Sequence, residues 1–264
     1  MGQKVVMVLI DGMRADSLAV SGHPFIEQMK QTGSYTLDGQ TVMPSVTLPC
    51  HMSLFHSVPP ERHGIVENVY TAQVRPIPGL YEQLAAQRKV SGHFHNWSEL
   101  RDLARPGSVA HNCFISGDWH TFEYSNQELT KQAITYIQEH SPDFVFLYLG
   151  KVDMDGHRFG WMSDEYIQSV YDSWELVEQV ANILPEEYNL IVTSDHGGHD
   201  RGHGMNIPED MTIPFLLRGK NIATGEISEK VSILDIAPTI VDLMDVPAHG
   251  EWEGKSLLPS CKKK

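Results

Sequence analysis

The chain has 264 residues and a formal net charge of −14, from 20 Lys and Arg against 34 Asp and Glu. With 41% hydrophobic and 20% charged residues, it is neither disordered nor collagen-like. It is long enough to bury a hydrophobic core without stabilising cross-links. The negative charge and the lack of an apolar run of roughly 20 residues argue against a nucleic acid polymer or a membrane as partner.

The compartment is predicted from the first apolar run and the cysteines. Residues 5–10 lack the length and the cleavage pattern of a signal peptide. Cys50, Cys113 and Cys261 are odd in number and widely spaced, which suits free thiols in a reducing compartment. We therefore expect a cytoplasmic protein.

Continuously apolar segments of strand length predict buried parallel strands. They lie at residues 5–10, 144–149 and 190–193. An acidic residue follows each of them: Asp11, Asp153 and Asp195. The ligand crevice of an open α/β sheet lies outside the carboxyl ends of its strands, so these carboxylates are expected to converge there and to bind a cation.

Further patterns of apolar residues predict the remaining elements. They are strands at residues 90–95 and 213–218 and helices at residues 126–139 and 164–184. Ser125 and Glu128 form a predicted capping box for the first of these helices. The alternation of strands and helices indicates one layered α/β domain over residues 1–264. Within it, the Gly and Pro breakers of residues 97–124 predict a small insertion over the crevice or a plain connecting loop.

The densest group of potential metal ligands lies in a glycine-rich segment directly after the third apolar strand. It contains Asp195, His196, His199, Asp200 and His203. A mixed carboxylate and imidazole set suits zinc, manganese or iron. A solvated turn is the alternative interpretation, but the position after a buried strand favours a metal site.

A second group of candidate ligands consists of Asp153 and His157, four residues apart across a predicted glycine turn. Together with Asp11 and the histidine-rich segment, they supply ligands for two cations, which lie about 3.5–4 Å apart in the usual two-metal hydrolase site. Asp155, between them, is predicted to cap the following helix instead.

The third candidate is a nucleophile, Thr47. Pro49 suits the first turn of a helix running toward His56, which places Thr47 at or just before the helix N-terminus. The free N–H groups there attract phosphoryl oxygens, and a metal that lowers the pKa of the hydroxyl would make Thr47 a nucleophile. A simple helix cap is the alternative role.

In order and type, these motifs resemble the alkaline phosphatase superfamily, and within it the nucleotide pyrophosphatase/phosphodiesterase branch. The motifs are Leu9-Ile10-Asp11-Gly12, Thr47-x-Pro49-x-His51, Pro60-Glu61-Arg62-His63-Gly64-Ile65, Asp153-x-x-Gly156-His157, and Asp195-His196-Gly197 with His203-Gly204. The resemblance implies a layered fold with a mostly parallel central sheet and helices on both faces. It also implies two divalent cations, with zinc the first choice and manganese the second.

The resemblance further implies a role for each candidate residue. One cation is bound by Asp153, His157 and His203, and the other by Asp11, Thr47, Asp195 and His196. His199 has no ligand role in that pattern. The phosphodiesterase branch usually has Asn at the position of Cys50, where the amide helps to hold a phosphoryl oxygen. Cys50 is therefore a candidate substrate contact, although a thiol is a weak donor.

Together these features predict a two-metal phosphoric ester hydrolase that acts through a phospho-threonine on a small soluble phosphoester, with a diester favoured. A phosphomonoesterase, a phosphonate hydrolase and a structural metal-binding module are the alternatives. A sulfatase would need Cys or Ser in a C/S-x-P-x-R signature, and a phosphoglycerate mutase would need a Ser nucleophile and a large inserted domain. Aromatic candidates for stacking on a base or sugar are Trp119, His120, Phe122 and Tyr124.

Overall fold

The computed structural model describes residues 3–263. Met1, Gly2 and Lys264, which the predicted domain includes, lie outside the described residues. In this part of the chain the strands are β1 Lys4–Ile10, β2 Ser34–Gln40, β3 Ser91–His95, β4 His111–Phe114, β5 Phe144–Leu149, β6 Tyr188–Thr193, β7 Thr212–Arg218 and β8 Gly225–Glu226.

Helices of the same described region connect most of these strands. They are α1 Ser17–Ser21, α2 Pro24–Thr32, α3 Thr47–His56, α4 Pro60–His63, α5 Leu80–Ala86, α6 Phe122–His140, α7 Lys151–Phe159, α8 Asp164–Ile183, α9 Pro208–Met211, α10 Ile236–Leu243 and α11 Leu258–Cys261, with 3-10 helices at Ser98–Leu103 and Ile233–Asp235. None of them combines the length and the apolar composition that a membrane-spanning helix needs.

All eight strands of residues 3–263 form one sheet in the order β4-β3-β5-β1-β6-β7-β2-β8. The strands from β4 to β6 pair in parallel. β7 runs antiparallel to both of its neighbours, β6 and β2, and β8 is parallel to β2. The predicted α/β fold with a mostly parallel central sheet is confirmed.

Both faces of the sheet are buried beneath helices. Alternate side chains of β1 belong to two separate hydrophobic clusters. Val5, Met7 and Leu9 lie in the first cluster, and Val6, Val8 and Ile10 lie in the second. The first cluster contains apolar residues of α3, α5 and α10, and the second contains those of α2, α6 and α8. Burial on both faces explains why the central strands are continuously apolar.

The five predicted strands are all present, and the prediction for residues 144–149 matches β5 residue for residue. The others begin within two residues of their predicted starts. The sequence patterns missed β2, β4 and β8. These strands lie toward the two edges of the sheet and carry exposed or half-exposed side chains, so they lack the continuous apolar pattern of a central strand.

The two long predicted helices are present, but one begins differently from the prediction. α6 begins at Phe122, and Thr121 caps it by accepting the Tyr124 N–H at 3.1 Å. The predicted capping box is therefore wrong: Ser125 lies inside the helix and donates to the carbonyl of Phe122 at 3.2 Å. α8 begins at the predicted residue and ends one residue early, with Ser163 as its N-cap.

Residues 97–124, the predicted insertion or loop, contain two regular elements. The first is the 3-10 helix Ser98–Leu103. The second is β4, which pairs in parallel with β3 at the edge of the sheet, with His111 opposite Gly92. Part of this segment therefore extends the central sheet.

Candidate active site

The central strands bring three acidic side chains to one edge of the sheet. Asp11 directly follows β1, and Asp195 lies two residues beyond the end of β6. Asp153 lies in α7, which follows β5, the other neighbour of β1. Because these strands are parallel, their carboxyl ends lie at the same edge. All three side chains are buried.

α7 places Asp153 and His157 on one face of a helix. They are one helical turn apart, with His157 Nε2 3.5 Å from Asp153 Oδ2. The glycine turn predicted between them is wrong, because Gly156 continues the helix. The predicted capping role of Asp155 is wrong as well. Asp155 lies inside α7, where its carboxylate accepts hydrogen bonds from Lys151 Nζ and Ser169 Oγ.

Donor atoms gather in two clusters that share His196. In each cluster the atoms lie within 4.8 Å of one another: Asp11, Asp195 and His196 form the first, and Asp153, His196 and His203 the second. His196 Nε2 is 3.4 Å from both Asp11 Oδ1 and Asp195 Oδ2. His203 Nε2 is 3.7 Å from Asp153 Oδ1. The imidazoles of His196 and His203 stack with ring centroids 3.9 Å apart, which brings the two clusters side by side.

The three imidazoles are oriented in the same way, by a backbone carbonyl next to Nδ1. His157 Nδ1 is 3.0 Å from the Arg201 carbonyl, His196 Nδ1 is 2.8 Å from that of Gly197, and His203 Nδ1 is 2.8 Å from that of Ser45. A carbonyl can only accept, so Nδ1 is the donor in each case, and Nε2 faces the carboxylates, where it can bind a metal once it carries no proton. Histidines that bind metals through Nε2 are oriented in this way.

One oxygen of each carboxylate has no hydrogen-bond partner among the described residues, although it is buried: Asp11 Oδ1, Asp153 Oδ1 and Asp195 Oδ2. Burial, with the nearby Asp195 and Asp153 charges, raises the pKa of Asp11 well above its usual value. Burial also raises the pKa of Asp153. Burial alone would raise the pKa of Asp195, but His196 and His51 more than offset it and hold that pKa low. Divalent cations would relieve this crowding of negative charge, so the residues fit a metal site.

Thr47 is the first residue of α3 and faces the same clusters. Its Oγ1 is 3.2 Å from His196 Nε2. The N-cap position belongs to Val46, and no side chain of the described residues makes a capping hydrogen bond there. The Thr47 hydroxyl therefore does not have the alternative role of a helix cap, and it lies beside the donor atoms of both clusters.

A small cavity of about 160 Å³ opens onto these groups. Five of the predicted site residues line it: Asp11, Thr47, Asp153, His157 and His203. Asp195 and His196 lie fully buried behind them. The rest of the lining consists of Asn68, Trp97, Phe122, Tyr148, Gly150 and Met154.

Two polar residues of the cavity were missed by the sequence patterns. Asn68 Oδ1 accepts the N–H of Leu48 at 2.9 Å, which ties this loop residue to the start of α3 beside Thr47. Tyr148 donates its hydroxyl proton to Asp11 Oδ2. Burial and the Asp11 charge raise the pKa of Tyr148 well above its usual value, so the phenol remains a donor. Asn68 lies three residues beyond the Pro60–Ile65 motif, and that proximity was its one sequence signal.

Cys50, the predicted substrate contact, does not line the cavity. Its side chain is fully buried, with Sγ 3.2 Å from Thr41 Oγ1 and 3.7 Å from the carbonyl of Pro44. One helical turn beyond Thr47, the thiol packs against the chain that leaves β2. Burial raises the pKa of this thiol far above its usual value. This position does not favour a contact with substrate.

Of the four aromatic candidates, Phe122 lines the cavity, and Trp97 lines it as well. Trp119 is 88% exposed and Tyr124 is 49% exposed. His120 packs against Tyr124, with ring centroids 5.3 Å apart. The start of α6 therefore brings one of its aromatic rings to the cavity.

The layered sheet, with carboxylates and imidazoles gathered at its edge, agrees with the resemblance to the alkaline phosphatase superfamily. The model of the type I phosphodiesterase / nucleotide pyrophosphatase family matches residues 5–209, which is more than half of the chain. The protein belongs to this family.

Curated relatives are distant and longer. Human ectonucleotide pyrophosphatase/phosphodiesterase family member 1 is 26% identical over 212 residues, which cover 71% of this chain and 23% of the relative. Human family member 7 is 28% identical over 222 residues, covering 74% of this chain and 47% of the relative. The chain therefore spans less than half the length of either relative.

Solved structures show the same fold at low identity. An inactive form of murine ectonucleotide pyrophosphatase / phosphodiesterase 5 in complex with AMP has a TM-score of 0.81 and 16% identity, covering 98% of this chain and 100% of that one. A 2-O GAG sulfatase has a TM-score of 0.80 and 14% identity, covering 100% of this chain and 76% of that one. The fold is therefore shared by enzymes of different substrate classes.

Proposed function

We propose that the protein is a two-metal-dependent phosphoric ester hydrolase that cleaves small soluble phosphodiesters through a phospho-threonine intermediate. The observation that carries the proposal is the position of Thr47. Its hydroxyl lies at the N-terminus of α3 and 3.2 Å from His196 Nε2, beside three buried carboxylates that each have one oxygen without a hydrogen-bond partner in residues 3–263. A structural metal-binding module would need no hydroxyl group at this position.

The donor set suggests how the cations would be held. Asp153, His157 and His203 would hold one, and Asp11, Thr47, Asp195 and His196 the other. His196 lies in both clusters of donor atoms, so it marks the boundary between the two positions. Three carboxylates and three imidazoles suit zinc first and manganese second. When bound, the cations would lower the pKa of the Thr47 hydroxyl and neutralise charge on the phosphoryl group.

With Thr47 as the nucleophile, the reaction proceeds in two steps. Thr47 gives its hydroxyl proton to solvent, Oγ1 forms a bond to phosphorus, and the P–O bond to the leaving group breaks in line. In the second step a water oxygen forms a bond to the same phosphorus and loses a proton to solvent, the Oγ1–P bond breaks, and Thr47 regains its hydroxyl proton. The Asn68 amide, held beside Thr47 by the Leu48 N–H, is placed to donate to a phosphoryl oxygen. Tyr148 keeps Asp11 oriented.

The cavity supports a small substrate. A cavity of about 160 Å³ has room for a phosphoryl group and a limited part of one ester arm, and the lining includes Trp97 and Phe122 as aromatic side chains for that arm. The net charge of −14 would repel long polyanions. The complex of the murine relative with AMP supports a ligand of nucleotide size. A cytoplasmic location stays a prediction.

Phosphomonoester cleavage is the second candidate, and the small cavity favours it because a diester must place its other arm outside. A phosphonate hydrolase would use the same groups. Despite the likeness to a sulfatase fold, Thr47 and His51 differ from the Cys or Ser and the Arg of the sulfatase signature.

The test is a comparison of matched substrates. Metal-free protein is reconstituted with Zn²⁺ or Mn²⁺, and kcat/KM is measured for an aryl phosphate monoester, the matching diester, an aryl phosphonate and an aryl sulfate, with Thr47→Ala as the control. We expect the diester to be preferred. A tenfold or greater preference for the monoester would overturn the diester assignment. Protein with two bound cations and no activity on any phosphoester would overturn the hydrolase assignment.

A further inference from the structure

His199 is a member of the histidine-rich segment for which the proposed chemistry has no use. It lies in a tight hairpin, where its backbone exchanges two hydrogen bonds of 2.9 Å with Gly202. Asp200, at the turn of this hairpin, has φ of 46°. We call residues 199–205 the ligand loop, because it contains His203 and connects Asp195 and His196 to α9.

Asp210 in α9 closes this ligand loop at both ends. Its carboxylate is fully buried, and its Oδ1 lies 2.7 Å from His199 Nδ1. Its Oδ2 accepts the N–H of Met205 at 2.8 Å. The Asp210 carbonyl also accepts the N–H of Gly197 at 2.9 Å. One buried carboxylate thus joins the first and last residues of the loop.

The closed loop positions two of the three ligands proposed for one cation. His203 lies in the loop, with Nδ1 held by Ser45 and Nε2 3.7 Å from Asp153 Oδ1. His157 lies outside the loop, but its Nδ1 is oriented by the carbonyl of Arg201 at the turn. A shift of the turn would therefore misdirect His157 and His203 together. The ligands Asp11 and Asp195 have no contact of this kind with the loop.

We propose that the His199–Asp210 pair is a positioning device that holds the ligand loop in its metal-binding shape and so sets the affinity of the cation position formed by Asp153, His157 and His203. Partners that orient metal ligands through hydrogen bonds typically change metal affinity by about 10–100-fold when they are removed. His199 acts through backbone rather than on a ligand directly, so we expect the lower end of that range. The inference rests on the proposed two-metal site.

The experiment measures metal binding rather than turnover. Zn²⁺ is titrated into metal-free protein in competition with a chromophoric chelator, and Asp153→Ala identifies which of two equivalents belongs to the His157 and His203 position. We expect His199→Ala to weaken that equivalent about 10-fold and to change the other, whose ligand His196 stacks on His203, by clearly less. His199→Asn should restore the affinity, because its amide N–H occupies nearly the same place as the ring Nδ1–H.

His23→Ala is the matched control. His23 is a buried histidine whose Nδ1 accepts the N–H of Phe25 at the start of α2, and its loss should leave both affinities unchanged. The positioning role would be overturned if His199→Ala weakened both Zn²⁺ equivalents equally or left Zn²⁺ binding unchanged. It would also be overturned if His199→Asn did not restore the affinity. If the wild type binds fewer than two cations, the proposed two-metal site fails together with this inference.

Discussion

Gly12→Ala tests how closely the loop after β1 and helix α7 must approach each other to form the site. Gly12 has φ of 67°, and a methyl group added there would lie 3.0 Å from the Cα, Cβ and Oδ1 atoms of Asp153. Its N–H donates to Asp195 Oδ1 at 3.2 Å, and its carbonyl accepts from Trp161 and Tyr166, each at 2.9 Å. The glycine is therefore held on both sides and cannot easily move away.

The expected effect has two parts. Left-handed backbone costs an alanine about 1 kcal/mol. In addition, carbon atoms prefer a separation of roughly 3.5–4.0 Å, so Asp153 must move by about 0.5 Å. A misplacement of about 1 Å in an active site can cost about 100-fold in rate, so we expect kcat/KM to fall about 10-fold.

Gly22→Ala is a matched control, because Gly22 has φ of 66° and no neighbouring atom within 4 Å of the added methyl group. Both variants should lose about 1 kcal/mol in urea unfolding, but Gly12→Ala alone should lose activity and Zn²⁺ affinity. If Gly12→Ala has the kcat/KM and the metal affinity of Gly22→Ala, the close approach to Asp153 is unimportant and the reasoning is refuted.

Four further substitutions test other parts of the site and the fold. Thr47→Ala should lower kcat by at least about 1,000-fold yet keep both cations, because Asp11 and the remaining ligands are intact; a near wild-type rate with two bound cations would exclude the covalent step. Asn68→Ala should lower kcat/KM about 100-fold. Cys50→Ala should lower Tm but leave kcat/KM nearly unchanged. A larger loss of kcat/KM in Cys50→Ala than in Asn68→Ala would contradict the assignment of Asn68, and not Cys50, to the cavity. Burial and the nearby His56 lower the pKa of His63 to about 4, so its stabilising contribution is present above pH 6.5 and falls by about 2 kcal/mol between pH 7 and pH 5. Between pH 7 and pH 5 the wild type should lose about 2 kcal/mol more in urea unfolding than His63→Gln does, and equal pH dependence of the two proteins would refute this.

The central sheet could be predicted from sequence because its signal is local. β1, β5 and β6 are buried on both faces, so nearly every residue in them is apolar. Asp11 and Asp195 come just after two of these strands in the sequence. Because the strands are parallel, both carboxylates lie at the same edge of the sheet, and this can be predicted without the tertiary structure. The stripe of α8 is local in the same way, since its period needs no partner to be recognised.

What required the tertiary structure depends on contacts between distant parts of the chain. The sequence spacing of Thr47 and Cys50 allows both to face the phosphoryl group, yet the packing of Thr41 turns the Cys50 thiol away. Asn68 lies in a loop without periodicity, and only the N–H of Leu48, twenty residues earlier, shows that it belongs to the site. His199 has no ligand role in the sequence motif, and only the tertiary structure shows that its partner is Asp210. At such positions the side chain points toward the neighbour that can form a hydrogen bond with its buried polar atom. That neighbour is distant in sequence, so the local sequence pattern does not reveal it.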